Sequence, residues 1–120
     1  MISPEDLIAS LKSGCDVRVL KNASDSRLIV VHDRARKAER SIEIEMERYD
    51  QLMTQTVSLL AARDGSGLRI DVGRDYYGRQ WIEIRWGLLG QRMSRLGISP
   101  RYIAMLSDAL ADRDKAEEMA

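Results

Sequence analysis

The chain has 120 residues, of which 44% are apolar, and its 19 basic and 19 acidic side chains balance. This length is typical of one domain that buries a core without disulfides, and the zero net charge gives no bulk attraction to nucleic acid or to an anionic membrane. Cys15 is the sole cysteine, which excludes an intrachain disulfide and a cysteine-rich zinc site. Because we find neither a signal peptide nor a run of about 18 apolar residues, we expect a cytoplasmic protein.

The first half of the chain predicts a helix, three strands and a second helix. Ser3 can cap the first helix, Pro4 suits its first position, and Gly14 ends it. The continuous apolar run Leu28–Val31 is typical of a strand covered on both faces. The other two strands are predicted by apolar residues that alternate with charged ones, over Val17–Val19 and Ile42–Met46. From Arg48 the apolar spacing becomes helical and remains so to about Ala62.

The second half predicts a β-hairpin and two helices. The hairpin strands cover Leu68–Val72 and Trp81–Trp86, with a glycine-bounded turn between them. A helix is expected over about 88–96, and a last helix begins at Ser99 and Pro100. The charged segment 112–120 is expected to fray.

These elements predict a single α+β domain over residues 1–120, with the order α-β-β-β-α-β-β-α-α. Short connections between neighbouring strands favour an antiparallel sheet of about five strands with helices packed on one face. The order α-β-β-β-α-β-β-α resembles that of the small dimeric chaperones of type III secretion. That resemblance implies a protein that holds a secretion substrate in extended form.

The segment Arg92–Leu106 resembles the helix-turn-helix of phage-repressor-type DNA-binding proteins. Gly97, Ile98 and Ile103 match the turn glycine and two apolar positions of that motif. The resemblance implies a helix pair at about 88–110 whose second helix enters a major groove. The DNA-binding side chains would then be Arg92, Arg95, Ser99 and Arg101.

An aromatic and arginine-rich hairpin is the other candidate surface. Exposed Tyr, Trp and Arg are the residue types that dominate protein–protein contacts. Trp86 shares the strand face of Ile82 and Ile84 and is expected in the core, whereas Trp81 points to the opposite face and is expected to be at least partly exposed. The predicted partner-binding residues are Arg74, Tyr76, Tyr77, Arg79 and Trp81. The partner could be a second copy of the chain or a different protein.

No combination of residues predicts catalysis, a cofactor or a metal ion. The carboxylates of Glu43, Glu45 and Glu47 repeat along one strand face at about 7 Å, too far apart to share one ion without other ligands. His32 is the only histidine, and Cys15 is expected to be a small core residue. We therefore expect a non-catalytic protein-binding module: an adaptor, a secretion-type chaperone or an inhibitor, bacterial or phage-like in character. The alternative is a small DNA-binding regulator that uses the helix pair.

Overall fold

A computed structural model describes residues 2–62 and 68–119. Its helices are α1 (Pro4–Lys12), α2 (Met46–Ala61) and α3 (Pro100–Glu118). Its strands are β1 (Cys15–Lys21), β2 (Ser26–Asp33), β3 (Ala38–Glu45), β4 (Arg69–Arg74), β5 (Gln80–Trp86) and β6 (Arg92–Gly97). The predicted α+β class is confirmed, with the elements in the order α-β-β-β-α-β-β-β-α over the described part of the chain.

The start of α1 shows how closely local sequence sets this fold. The Asp6 N–H donates to Ser3 Oγ at 3.1 Å, and the Ser3 N–H donates to Asp6 Oδ2 at 3.0 Å. This reciprocal capping box satisfies two otherwise unpaired backbone donors, and Pro4 follows it at the first helical position. The predicted start of the helix is confirmed.

The sheet is mixed and has the order β3-β2-β1-β6-β5-β4. Neighbouring strands are antiparallel except for β1 and β6, which pair in parallel through Val17 with Leu96 and Arg18 with Gly97. The hairpin and the strand at Ile42 belong to one sheet, as predicted. The expectation of about five antiparallel strands is corrected to six, with one parallel pairing at the centre.

The sixth strand occupies the segment for which a helix is predicted. Instead of a helix over 88–96, the chain forms a short 3-10 turn at Leu88–Gly90 and then β6. Ser94, Leu96 and Ile98 are buried at alternate positions, and Ser94 Oγ donates to the Leu11 carbonyl at 2.7 Å. One of the inward positions of β6 is thus occupied by a serine, whose hydroxyl bonds to the last turn of α1. Because this position is polar, the sequence does not show the alternation of apolar residues that would have predicted a strand.

All three helices pack against one face of the sheet and form the core with it. Cys15 lies in this core, as predicted, and Trp86 is partly buried against it. Side chains that are fully buried there come from both layers: Leu7, Leu11, Met53 and Leu106 from the helices, and Ile29, Ile82, Ile84 and Leu96 from the strands.

Within residues 2–62 and 68–119, no helix packs on the opposite face of the sheet, and we call it the open face. Strand register assigns to it Leu28 and Val30, which lie opposite Leu20 and Arg18 of β1. Helices cover only the side of Ile29 and Val31. On the open face Val30 is nevertheless buried and Leu28 is half-buried, so the predicted burial of β2 on both faces holds in part, without a helix on the open side. At the other end of the chain, α3 remains helical through Glu118, beyond residue 112 where fraying is expected. No helix among the described residues is long and apolar enough to cross a membrane.

Candidate partner-binding surface

The tip of the β4–β5 hairpin is held by one carboxylate. Asp75 Oδ1 accepts hydrogen bonds from the backbone N–H groups of Tyr77 at 3.0 Å and Arg79 at 2.8 Å. Its Oδ2 accepts from Arg79 Nε at 2.7 Å. Desolvation alone would raise the pKa of Asp75. These hydrogen bonds and the charge of Arg79 outweigh it and hold that pKa below its ordinary value. The turn is therefore ordered by its own side chains.

Two tyrosines project from this ordered tip. Tyr76 is 96% exposed and Tyr77 is 80% exposed, and their rings meet edge to face with centroids 5.6 Å apart. The guanidinium of Arg79 lies over the Tyr77 ring, 5.6 Å from its centroid. Tyr76, Tyr77 and Arg79 thus form one aromatic and cationic group, which we call the hairpin tip.

Trp81 lies on the open face, where the sequence places it. Its indole Nε1 donates to Glu83 Oε1 at 3.1 Å, and the Arg95 guanidinium stacks on its ring at 4.8 Å from the centroid. Opposite it on β4 is Gly73, whose missing side chain leaves room for the ring. The ring lies against the sheet and is half-buried rather than free in solvent.

The charges around Trp81 are paired. The hydrogen bond from Trp81, reinforced by one from Arg85 Nη2 at 3.1 Å, lowers the pKa of Glu83 below its ordinary value. Because Glu83 stays ionised, it attracts both the indole N–H and the nearby arginines. This network fixes the orientation of Trp81.

A groove of about 530 Å³ extends from Trp81 across the centre of the open face. Because Gly97 has no side chain, the surface between Arg18 and Trp81 is depressed and forms the floor of the groove. Arg18 is ion-paired with Glu39 at 2.9 Å, and Asp16 accepts the Arg95 N–H at 3.0 Å. His32 also lines this groove.

The structure separates the predicted partner-binding residues into three places. Tyr76, Tyr77 and Arg79 are together at the tip, and Trp81 lies beside it on the open face. Arg74 points to the other side of the sheet, where it lines a groove against Pro100 and Ile103 of α3. Sequence reasoning missed the contributions of Arg18, His32 and Gly97, although the alternation within β1 and β2 already places Arg18 and His32 on one face.

The prediction of a DNA-reading helix pair is wrong, because the segment expected to form its first helix forms a short turn and strand β6 instead. Arg92 and Arg95 lie on β6 and, by strand parity, on opposite faces of the sheet. Ser99 immediately precedes α3, and Arg101 pairs with Asp50 of α2 at 3.2 Å on the helical side. The four residues do not form one groove-reading surface.

The residues considered for chemistry are also dispersed. Glu43 and Glu45 lie on β3, whereas Glu47 belongs to α2. Among the described residues, no three His, Cys, Asp or Glu side chains come together in a way that could hold a metal ion. Cys15 is buried in the core, and its Sγ lies 3.6 Å from Ser13 Oγ.

Comparison of this chain with protein-family models, with curated proteins and with solved structures gives no match. The function therefore has to be inferred from the surfaces themselves.

Proposed function

We propose that this chain is a non-catalytic module that binds another protein through the hairpin tip and the adjoining Trp81 side of the open face. The exposure of Tyr76 and Tyr77 on a turn held by Asp75 carries the proposal. Removing apolar surface from water is favourable by roughly 25 cal/mol per Å². An isolated molecule forgoes this free energy by exposing two large rings, whereas a partner that covers them would recover it.

Rigidity makes this exposure suited to recognition. Asp75 orders the backbone and Arg79 packs on Tyr77, so little conformational entropy remains to be lost when a partner covers the rings. Trp81, fixed by Glu83 and Arg95, extends the same surface onto the sheet. An adaptor, an inhibitor or a secretion-type chaperone would each use such a surface, and the partner is either a different protein or a second copy.

Affinity capture from the native host tests this proposal with a matched pair of variants. Tyr76→Ala with Tyr77→Ala removes the two rings, while Leu59→Ala with Met119→Ala removes exposed apolar side chains from α2 and from the residue that follows α3. We expect the tyrosine variant to lose a specific co-purified protein that the helix variant retains, and we expect nuclease treatment to leave that capture unchanged. Equal recovery with both variants, or loss on nuclease treatment, would contradict the proposal.

Self-association is measured separately by sedimentation velocity. If the partner is a second copy, the wild-type chain should dimerise, and Trp81→Ala should weaken the dimer while leaving the thermal melt nearly unchanged. If Trp81→Ala instead unfolds the domain, Trp81 acts mainly as a structural residue and does not belong to the contact surface.

A further inference from the structure

A third groove lies at the end of β5 opposite the hairpin tip. It has a volume of about 480 Å³ and is formed where α1 ends, β5 ends and β6 begins. Four of its lining residues are basic and none is acidic: Lys12, Arg34, Arg85 and Arg92. We call it the basic groove.

Two of these cations are fixed in place by the fold. Arg34 donates to the carbonyl oxygens of Gly14 and Met93 and is ion-paired with Asp16 at 3.5 Å. Arg85 is ion-paired with Glu83 at 3.1 Å. Their positions are set by internal contacts, and each has one carboxylate to offset its charge.

The other two cations have no such partner among the residues that the structure describes. Lys12 and Arg92 are exposed, and within the described residues neither forms an ion pair. The groove therefore has more positive charge than its neighbours neutralise, in a chain whose net charge is zero. Such a local excess attracts an anionic ligand.

Apolar groups beside the basic groove narrow the chemistry of that ligand. Leu88 and Leu89 are 79% and 91% exposed in the turn that leads from Trp86 to Gln91, both of which line the groove. Trp86 also lines the groove and is partly buried against the core. Leucines beside cations suit a polypeptide with both acidic and apolar side chains better than a nucleic acid.

We propose that the basic groove binds an acidic polypeptide segment of a partner protein, with carboxylates on Lys12 and Arg92 and apolar side chains on Leu88 and Leu89. This site is distinct from the hairpin tip and does not depend on it. The contacts of Lys12 and Arg92 are between surface cations and carboxylates, so their share of the attraction weakens as salt is added.

Fluorescence anisotropy with the full chain tests the proposal. The probe is a short fluorescein-labelled peptide of alternating glutamate and leucine, compared with a lysine–leucine peptide and with single-stranded oligothymidylate of equal length. Lys12→Gln with Arg92→Gln should weaken binding of the glutamate peptide by about tenfold. The matched control is Lys21→Gln with Arg40→Gln, which removes one lysine and one arginine that do not line the groove.

The proposal is supported if the glutamate peptide binds, the groove variant loses binding, and the control variant keeps it. It is overturned if the peptide does not bind, if both variants weaken binding equally, or if oligothymidylate binds as tightly. All variants alter exposed side chains, and a thermal melt checks that each is folded. Tyr76→Ala with Tyr77→Ala should bind the peptide as the wild type does, so failure of the hairpin proposal is distinguishable from failure of this one.

Discussion

The two faces of the sheet differ sharply although they are made by the same strands. On β5, Ile82 and Ile84 are fully buried beneath the helices, while the alternate residues Trp81 and Glu83 lie on the open face in a network of charges. A period of two residues is enough to separate apolar packing from polar contacts along one strand. On β5 the fully buried side chains thus lie on the covered face, and the charged network lies on the open face.

Neighbouring substitutions on β6 give the strongest test of this division. Leu96→Ala should lower the free energy of unfolding by about 3 kcal/mol, because it removes a fully buried side chain from the core. Arg95→Ala, one residue away on the open face, should cost less than about 1 kcal/mol. Urea denaturation measures both, and similar losses for the two variants would show that the open face is also structural.

Gly73 provides an intermediate test, because it is where the open face is tightly packed. A Cβ at this position would lie 2.6 Å from Trp81 Cε2 and 2.8 Å from Glu83 Oε1. Gly73→Ala should therefore displace the Trp81 ring and lower stability by about 2 kcal/mol in the same assay. In a Trp81→Ala background the substitution should cost much less, and an undiminished cost would mean that the ring is not what the methyl group meets.

Tyr102 tests the helical layer above the covered face. Its hydroxyl donates to Asp50 Oδ1 at 2.6 Å, and burial together with this hydrogen bond raises the pKa of Tyr102 above its ordinary value. Tyr102→Phe should cost about 1 kcal/mol at neutral pH. Because the folded pKa is raised, the stabilisation is complete below about pH 10, the unfolded value, and is lost as the pH rises above it. The wild-type melting temperature should thus fall more steeply above pH 10 than that of the variant, and parallel curves would contradict this.

Glu83 should give the smallest effect, confined to acid pH. Its folded pKa is lowered by the hydrogen bond from Trp81 and by Arg85. Its contribution is therefore present above about pH 4.3, the ordinary value, and is lost as the pH falls through the lower folded value. Glu83→Gln removes this titration, so melting curves between neutral and acid pH should show a shallower decline for the variant. Equal declines would mean that the ion network on the open face adds nothing to stability.

Local sequence patterns predicted much of the fold because each depends on nearby residues. The Ser3 cap of α1, the half-buried strands and the opposite orientations of Trp81 and Ile82 follow from local residue types and spacing. The strand at 92–97 did not, because Ser94 occupies a core position that an apolar residue would normally mark. Its hydroxyl is satisfied by the carbonyl of Leu11, 83 positions away in the chain, and no local pattern contains that partner.

The candidate surfaces show the same limit. The hairpin tip could be predicted because Tyr76, Tyr77 and Arg79 lie within four positions of the sequence, and in the structure Tyr77 contacts both of the others. The basic groove could not, because Lys12, Arg34 and Arg92 are brought together only by the parallel pairing of β1 with β6. The contact between Arg95 and Trp81 was also missed, because it requires β6 to lie beside β5 and a helix was expected at 88–96.

The parallel pairing of β1 and β6 has a consequence for how the chain folds. Strands β1 to β3 can form a meander early, but the free edge of β1 meets its partner only when Leu96 reaches Val17 after a long stretch of chain. Closing so long a loop costs conformational entropy before the favourable free energy of the strand pairing is gained, and such non-local pairings slow folding. We therefore expect refolding chains to pass through a state in which two partial sheets each present an unpaired edge. In that case the backbone amides that pair β1 with β6 should gain protection from hydrogen exchange late in refolding.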